Sequence, residues 1–178
     1  DGFVFGILKE DNSINKPINS VLVQLAKPFP CTFHRAFDAV FDYEQALAAA
    51  KRGGKPLLID FTGHGCVNCR EMEARVWSDP QVLQRLKEDF VMVALYIDER
   101  YELPEAEWYV SDYDGKEKKT IGKQNADFQI TKFNNNAQPY YVMIDHEGKA
   151  LNTPTAYNPD IDFYKNWLEQ GISNFKLL

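Results

Sequence analysis

The order of elements legible in the chain predicts an α/β fold: a central mixed sheet flanked by helices, preceded by an N-terminal extension. Three observations carry this. Two apolar runs, Pro56-Leu57-Leu58-Ile59-Asp60-Phe61 and Phe90-Val91-Met92-Val93-Ala94-Leu95-Tyr96-Ile97, read as buried strands. Helical patterns stand before, between and after them. A cysteine pair, Cys66-Val67-Asn68-Cys69, falls where the first strand gives way to a helix.

In chain order, residues 1–35 form an extension or linker and 36–178 the domain proper. Within the extension, Phe3 to Leu8 and Val21 to Leu25 each have the length of a short strand, and Lys27-Pro28-Phe29-Pro30 must be extended or turned. Cys31 is expected there as a lone, partly buried thiol, since free cysteine often behaves as a small hydrophobe. Asp42 with Gln45 three residues on makes a capping box for an alanine-rich helix, Tyr43 to Lys51, that stops at Gly53-Gly54. The strand 56–62 and the cysteine helix follow. Trp77-Ser78-Asp79-Pro80 breaks that helix and restarts it to about Glu88, with Asp79 as cap and Pro80 at the first helical position.

The run from Phe90 to Ile97 is apolar without alternation, which predicts a central strand covered on both faces. Residues 98–120 turn polar and read as a long connection, with Trp108 and Tyr109 stapling it to the domain. A helix over Ile121 to Phe133 ends at Asn134-Asn135-Asn136, and Tyr140 to Ile144 is a strand. Asp145-His146-Glu147-Gly148 is a hairpin turn with glycine supplying positive φ, and Lys149 to Leu151 begins the return strand. Asp160 to Gln170 closes the chain as a helix with Ile161, Tyr164, Trp167 and Leu168 on one stripe.

Bulk properties narrow the function. Hydrophobic residues are 44% and charged residues 26% of 178, an ordinary globular composition. The formal net charge of -6, with no basic patch among aromatics, argues against nucleic acid as partner. No apolar run approaches the roughly 18 residues that cross a bilayer. The chain begins at Asp1 without a leader pattern, as expected of a processed or excised piece.

The chemistry lies in Thr62-Gly63-His64-Gly65-Cys66-Val67-Asn68-Cys69. Residues at i and i+3 share a helix face, so the two sulfurs come within bonding reach. Cys66 falls at the helix N-terminus, where free backbone N–H groups and the helix dipole favour an anion. Such a site lowers a thiol pKa from about 8.5 into the range of about 3.5–7.5, so Cys66 is expected to be the attacking thiolate. Cys69, a turn further in, is the resolving thiol. The same spacing is half of a zinc site, but zinc takes four ligands; there is no second pair, and His34, His64 and His146 are scattered. No metal is expected, and no cofactor beyond the Cys66–Cys69 disulfide. A purely structural bridge over two residues would constrain the unfolded chain little.

The element order resembles the thioredoxin fold, and several positions agree with it. Asp60, six residues before Cys66, resembles the buried acid beneath the cysteines of thioredoxins. Gln138-Pro139 resembles their cis-proline loop, which faces the disulfide and receives an incoming peptide strand. More narrowly, Asp60-Phe61, Cys66-Val67-Asn68-Cys69, Glu71-Met72-Glu73 and Ser78-Asp79-Pro80-Gln81-Val82 look like the C-terminal periplasmic domain of the DsbD family of thiol:disulfide interchange proteins, over about residues 38–171. That resemblance implies a protein-disulfide reductase. It would take electrons from a membrane-embedded carrier and pass them to a periplasmic acceptor domain, isomerases and cytochrome c maturation. It implies Cys66 as nucleophile, Cys69 as resolver, and Asp60 and Glu73 as acids that tune Cys69; carboxylates near a thiol disfavour its thiolate. Gln138, Pro139, His64 and Gly65 are then the substrate-facing residues. The sequence departs from thioredoxins at Gly65, where an aromatic residue usually precedes the first cysteine, and His64 adds a titratable neighbour. Two alternatives stay open: an oxidant or isomerase with a different redox poise, and a non-catalytic module that binds a peptide strand or a metal.

Overall fold

In the computed structural model of the protein, the described residues are 3–5, 16–25, 27, 31–33 and 43–178. The chain divides into two compact units, Asp1–Phe41 and Asp42–Leu178. In the first, β1 (Phe3–Phe5) pairs in parallel with β2 (Cys31–Phe33), and α1 (Lys16–Leu25) comes between them in sequence. Val21 to Leu25, expected as a strand, therefore belongs to a helix. A short apolar run has the same composition in either state, and parallel pairing of β1 with β2 requires a long crossover that a helix supplies. Cys31 opens β2; the state of its thiol, like the expected cap at Asp42, lies outside the described residues.

The second unit begins with α2 (Tyr43–Gly53) and β3 (Leu57–Thr62). Next comes α3 (Val67–Met72), which continues without a break into a π-helical stretch, Glu73–Trp77. Asp79 then accepts hydrogen bonds from the Gln81 and Val82 N–H groups, and Pro80, which has no N–H to leave unpaired, opens α4 (Pro80–Glu88). β4 is Val91–Tyr96. The connection expected over 98–120 is built: a 3₁₀ turn (Glu105–Glu107) leads to the hairpin β5 (Tyr109–Val110) and β6 (Glu117–Lys118). Asp127 anchors its foot, accepting from the hydroxyls of Tyr109 (3.0 Å) and Ser111. Thr120 caps α5 (Ile121–Phe133), and Asn134 ends it in the left-handed region at φ 49°. β7 is Tyr140–Ile144, and Gly148 at φ 77° closes the turn after it. The return strand differs from expectation: only Ala150 bridges back to Ile144, and pairing resumes at β8 (Thr155–Ala156). α6 runs Ile161–Phe175, a turn longer than its expected end at Gln170. Its buried stripe is Tyr164, Trp167, Leu168, Gly171 and Ile172, while Ile161 is exposed.

The sheet order is β4-β3-β7-β8, with β3 parallel to β4 and antiparallel to β7. β3 and β7 are central and buried at every position; among the described residues β4 and β8 lie at the two edges. The expectation of a central β4 fails because an apolar run reports which faces are covered, not how many strands lie alongside. Alternate residues of β3 serve two cores. Leu57, Ile59 and Phe61 pack with Ala46, Ala50 and Phe128 from α2 and α5. Leu58 packs on the other face with Met72, Val76, Tyr141, Tyr164 and Trp167. By the two-residue period of a strand, Asp60 and Thr62 share that second face with the cysteine helix.

Candidate active site

Cys66 is the N-cap of α3, in extended conformation (φ −80°, ψ 100°), and its Sγ accepts a hydrogen bond from the Cys69 N–H at 3.1 Å. The two cysteines are bonded to each other, with Cα atoms 5.3 Å apart. They differ sharply in access: Cys66 is half-buried, whereas Cys69 is 2% exposed. Val67, between them, is 77% exposed, so the attacking side of the pair faces outward across an apolar residue.

The turn before Cys66 is held from three directions. From α3, the Arg70 guanidinium reaches Thr62 Oγ1 (3.3 Å) and the Gly63 carbonyl (3.4 Å), and pairs with Glu73 at 2.7 Å. From the end of β4, the Asp98 carboxylate accepts the His64 N–H at 2.8 Å and the Gly65 N–H at 3.0 Å. From the loop before β7, Gln138 lies close enough that a Cβ on Gly63 would stand 2.9 Å from its Oε1. The Gln138–Pro139 peptide is cis, and Pro139 is buried. Two buried polar residues of α5 fix the flanking loops: Asn125 donates to the Tyr96 carbonyl (3.0 Å) and Gln129 to the Ala137 carbonyl (2.9 Å).

The acids and the histidine expected beside the cysteines each have a definite place. Asp60 is 5% exposed, and its charge helps push the hydroxyls of its neighbours Tyr141 and Tyr164 upward in pKa, after the larger effect of their own burial. Glu73 is half-exposed and engaged by Arg70, an arrangement that residue type alone did not reveal. The imidazole of His64 turns away from α3: it stacks on Tyr96 (centroids 4.3 Å apart) and its Nε2–H donates to Glu99 at 2.9 Å. That bond, more than any other contact, holds the Glu99 carboxyl below the usual carboxylate range. Partial burial works to raise the Asp98 carboxyl, but the Gly65 and His64 N–H donors outweigh it and hold it low as well. Asp98, Arg70, Asn125 and Gln129 had no signal in the sequence, since each acts on backbone far along the chain or through a geometry no spacing encodes. Among the described residues, no three of His, Cys, Asp and Glu gather where they could hold a metal ion.

A disulfide between an N-cap sulfur and a buried one, at the end of the strand beside the one that a cis-proline precedes, is a thioredoxin-like arrangement, and the sequence pattern of the thioredoxin-like family matches residues 38–145, more than half of the chain. The chain belongs to the thioredoxin-like family. This thioredoxin-like domain is similar in structure to the DsbH oxidoreductase, at TM-score 0.55 over 74% of this chain and 82% of that one, with 20% identity; that is a likeness of fold. The thiol:disulfide interchange protein DsbD of Salmonella typhimurium is 42% identical over 59 residues, 33% of this chain. Ahead of the thioredoxin-like region, the CutC family pattern matches residues 1–56. The copper homeostasis protein cutC homolog of Mus musculus is 55% identical over 47 residues, 26% of this chain. The matched stretches span 10% of the DsbD chain and 17% of the cutC homolog, so each likeness is to a small part of its relative. The domain is of the oxidoreductase type, with a cysteine pair placed for thiol–disulfide exchange. Among the described residues, no helix is long and apolar enough to cross a membrane.

Proposed function

We propose that the domain is a protein-disulfide reductase that relays two electrons through Cys66 and Cys69. Its donor would be a membrane-embedded carrier and its acceptors periplasmic proteins, as in the interchange protein it partly resembles. The observation that carries this reading is the asymmetry of the pair: one sulfur accessible at a helix N-cap, its partner buried one turn below. Exchange passes through a mixed disulfide, so one thiol must be open to attack and the other protected until needed.

The steps balance without any further cofactor. A donor dithiol first reduces Cys66–Cys69. The Cys66 thiolate, stabilised by the Cys69 N–H, then attacks the acceptor's disulfide; a Cys66–acceptor bond forms, and the acceptor's second sulfur leaves and takes up a proton. Cys69 gives up its proton and attacks Cys66 Sγ, which re-forms the internal disulfide and releases the acceptor's first sulfur as a thiolate. Two electrons have moved to the acceptor; the released thiolate takes up a proton from solvent, so the two protons the acceptor gains balance those lost by Cys66 on ionising and by Cys69 on attack. Asp60, buried on the face that carries α3, and Glu73 are the acids that would hold Cys69 protonated until then. Gln138 and Pro139 would receive the acceptor's extended chain beside Gly65 and His64.

Substitution tests the two roles separately. Cys66→Ser is expected to abolish insulin reduction, and Cys69→Ser to accumulate a mixed disulfide visible on non-reducing gels. Full activity of Cys66→Ser would reject the mechanism. Equilibration with glutathione separates reductase from oxidant: a potential near the reducing end, about −270 mV, supports the proposal, and one near −120 mV favours an oxidant.

A further inference from the structure

We propose that Asp98 is a positioning residue for the exchange reaction: its carboxylate pins the turn that presents Cys66 and, as a fixed negative charge, sets how readily that sulfur ionises. The inference rests on the reading that the pair exchanges disulfides, and it adds a residue outside the Cys66–Cys69 motif.

The geometry is specific. Both oxygens of one carboxylate are used on consecutive amides, Oδ1 by the His64 N–H and Oδ2 by the Gly65 N–H. Consecutive amides that converge on one anion form a concave nest, and a carboxylate in it is bound much as a phosphate would be. Occupancy of that nest has a consequence for Cys66. The His64 and Gly65 amides are given to Asp98 rather than to the sulfur, which accepts the Cys69 N–H. The turn cannot drift toward a second arrangement either, because Gly63 is wedged between two side chains. A Cβ there would stand 3.1 Å from Asp98 Oδ2 and 2.9 Å from Gln138 Oε1. Asp98 itself is fixed by backbone. Gly122 opens α5 so tightly against residues 97–99 that a Cβ on it would stand 2.5 Å from the Glu99 carbonyl oxygen, and its own N–H donates to that oxygen at 3.1 Å.

Other charges around the turn do not cancel Asp98. The Arg70 guanidinium is neutralised by Glu73 at 2.7 Å, and His64 is engaged by Glu99 at 2.9 Å. Asp60, below in β3, has the same sign as Asp98. A like charge beside a thiol disfavours its thiolate. Asp98 therefore opposes the N-cap effect and makes Cys66 less acidic than its helix position alone would. A less stabilised thiolate means a less stabilised dithiol, which is the direction a reductase needs.

Asp98→Asn keeps the size of the side chain, removes its charge and leaves one acceptor oxygen for the two amides. The pH midpoint for alkylation of Cys66, followed residue by residue with mass spectrometry on the reduced full chain, is expected to fall by roughly 1 unit. At a pH one unit below the wild-type midpoint that is an alkylation rate about fivefold higher, and the dithiol fraction at a fixed glutathione ratio rises with it. Asp98→Glu restores the charge and should bring the midpoint back toward wild type, which a merely structural role would not predict. A folded Asp98→Asn protein with the wild-type midpoint overturns the proposal. If the variant does not fold, the wild-type protein still decides. The amide protons of His64 and Gly65, followed by NMR, must titrate together at one acidic midpoint below the ordinary carboxylate range; separate midpoints overturn the pinning. Insulin reduction by the wild type is measured alongside. Its absence would sink the reductase reading and leave the Asp98 result standing, and the reverse outcome separates them equally well.

Discussion

At the residue scale, the turn before Cys66 is a meeting place of side chains from three distant segments, and its pH dependence follows from their bonds. Glu99 has its carboxyl lowered from the usual value of 4.5 first by the hydrogen bond from His64. A carboxyl whose folded pKa is depressed stabilises the fold above its unfolded pKa, and that contribution is lost as pH falls through the depressed value. Stability should therefore decline below about pH 4.5 in part through this pair, and Glu99→Gln should flatten that acid limb in urea titrations at pH 3–5. An unchanged limb would mean that the link between His64 and Glu99 contributes nothing in solution. Cys66 and Cys69 were singled out by their spacing, and Asp60 and Pro139 by the resemblance to thioredoxins. Asp98 was not: its partners lie 33 and 34 positions away.

At the scale of elements, the cysteine helix matters for how it begins and α5 for what it holds. The span of α5, Ile121 to Phe133, and its end at the asparagines were legible in the sequence, because helix patterns and C-terminal signals act between near neighbours; the Thr120 cap came only from the structure. The buried polar side chains of α5 were not legible, since Asn125 and Gln129 serve loops contributed by other parts of the chain. Gly122 shows the same dependence. Gly122→Ala places a methyl group against the backbone of residues 97–99, which cannot retreat as a side chain could. It is expected to destabilise by about 1–3 kcal/mol, as overpacking does, and, by displacing Asp98, to lower the pH midpoint of Cys66 alkylation. Thermal melts and alkylation profiles on that variant check both effects. Asp79→Ala, which removes both cap bonds of α4, should cost about 1 kcal/mol and leave exchange at its wild-type rate.

For the whole molecule, burial in the second unit makes a prediction that reaches past the site. Tyr164 is fully buried and Tyr141 nearly so, and burial, aided by the charge of Asp60, raises both hydroxyls far above the usual value of 10.0. A raised pKa stabilises the folded form below the unfolded value and loses that contribution as pH rises through the folded one. Of the nine tyrosines, these two should ionise only when the domain unfolds in alkali. Absorbance followed upward in pH should then show a late step that coincides with loss of far-ultraviolet circular dichroism. Ionisation of all nine before unfolding would contradict the packing of α6 on the sheet. The chain also carries two likenesses, one to the CutC family over 1–56 and one to the thioredoxin-like family over 38–145. Only the second was legible, because it has a chemical motif; the stretch Val21 to Leu25 gave no cue to tell a helix from a strand.

By itself the sequence marked the main helices and strands of the second unit, the cap at Asp79, the turn at Gly148 and a cysteine pair at the mouth of a helix. These depend on interactions between residues a few positions apart, which a local pattern records. Tertiary structure alone decided that β4 lies at an edge among the described residues, that residues 98–120 form an anchored hairpin, and that one carboxylate after β4 governs the turn before Cys66. Those contacts join residues brought together only when the sheet assembles, and no spacing along the chain encodes them.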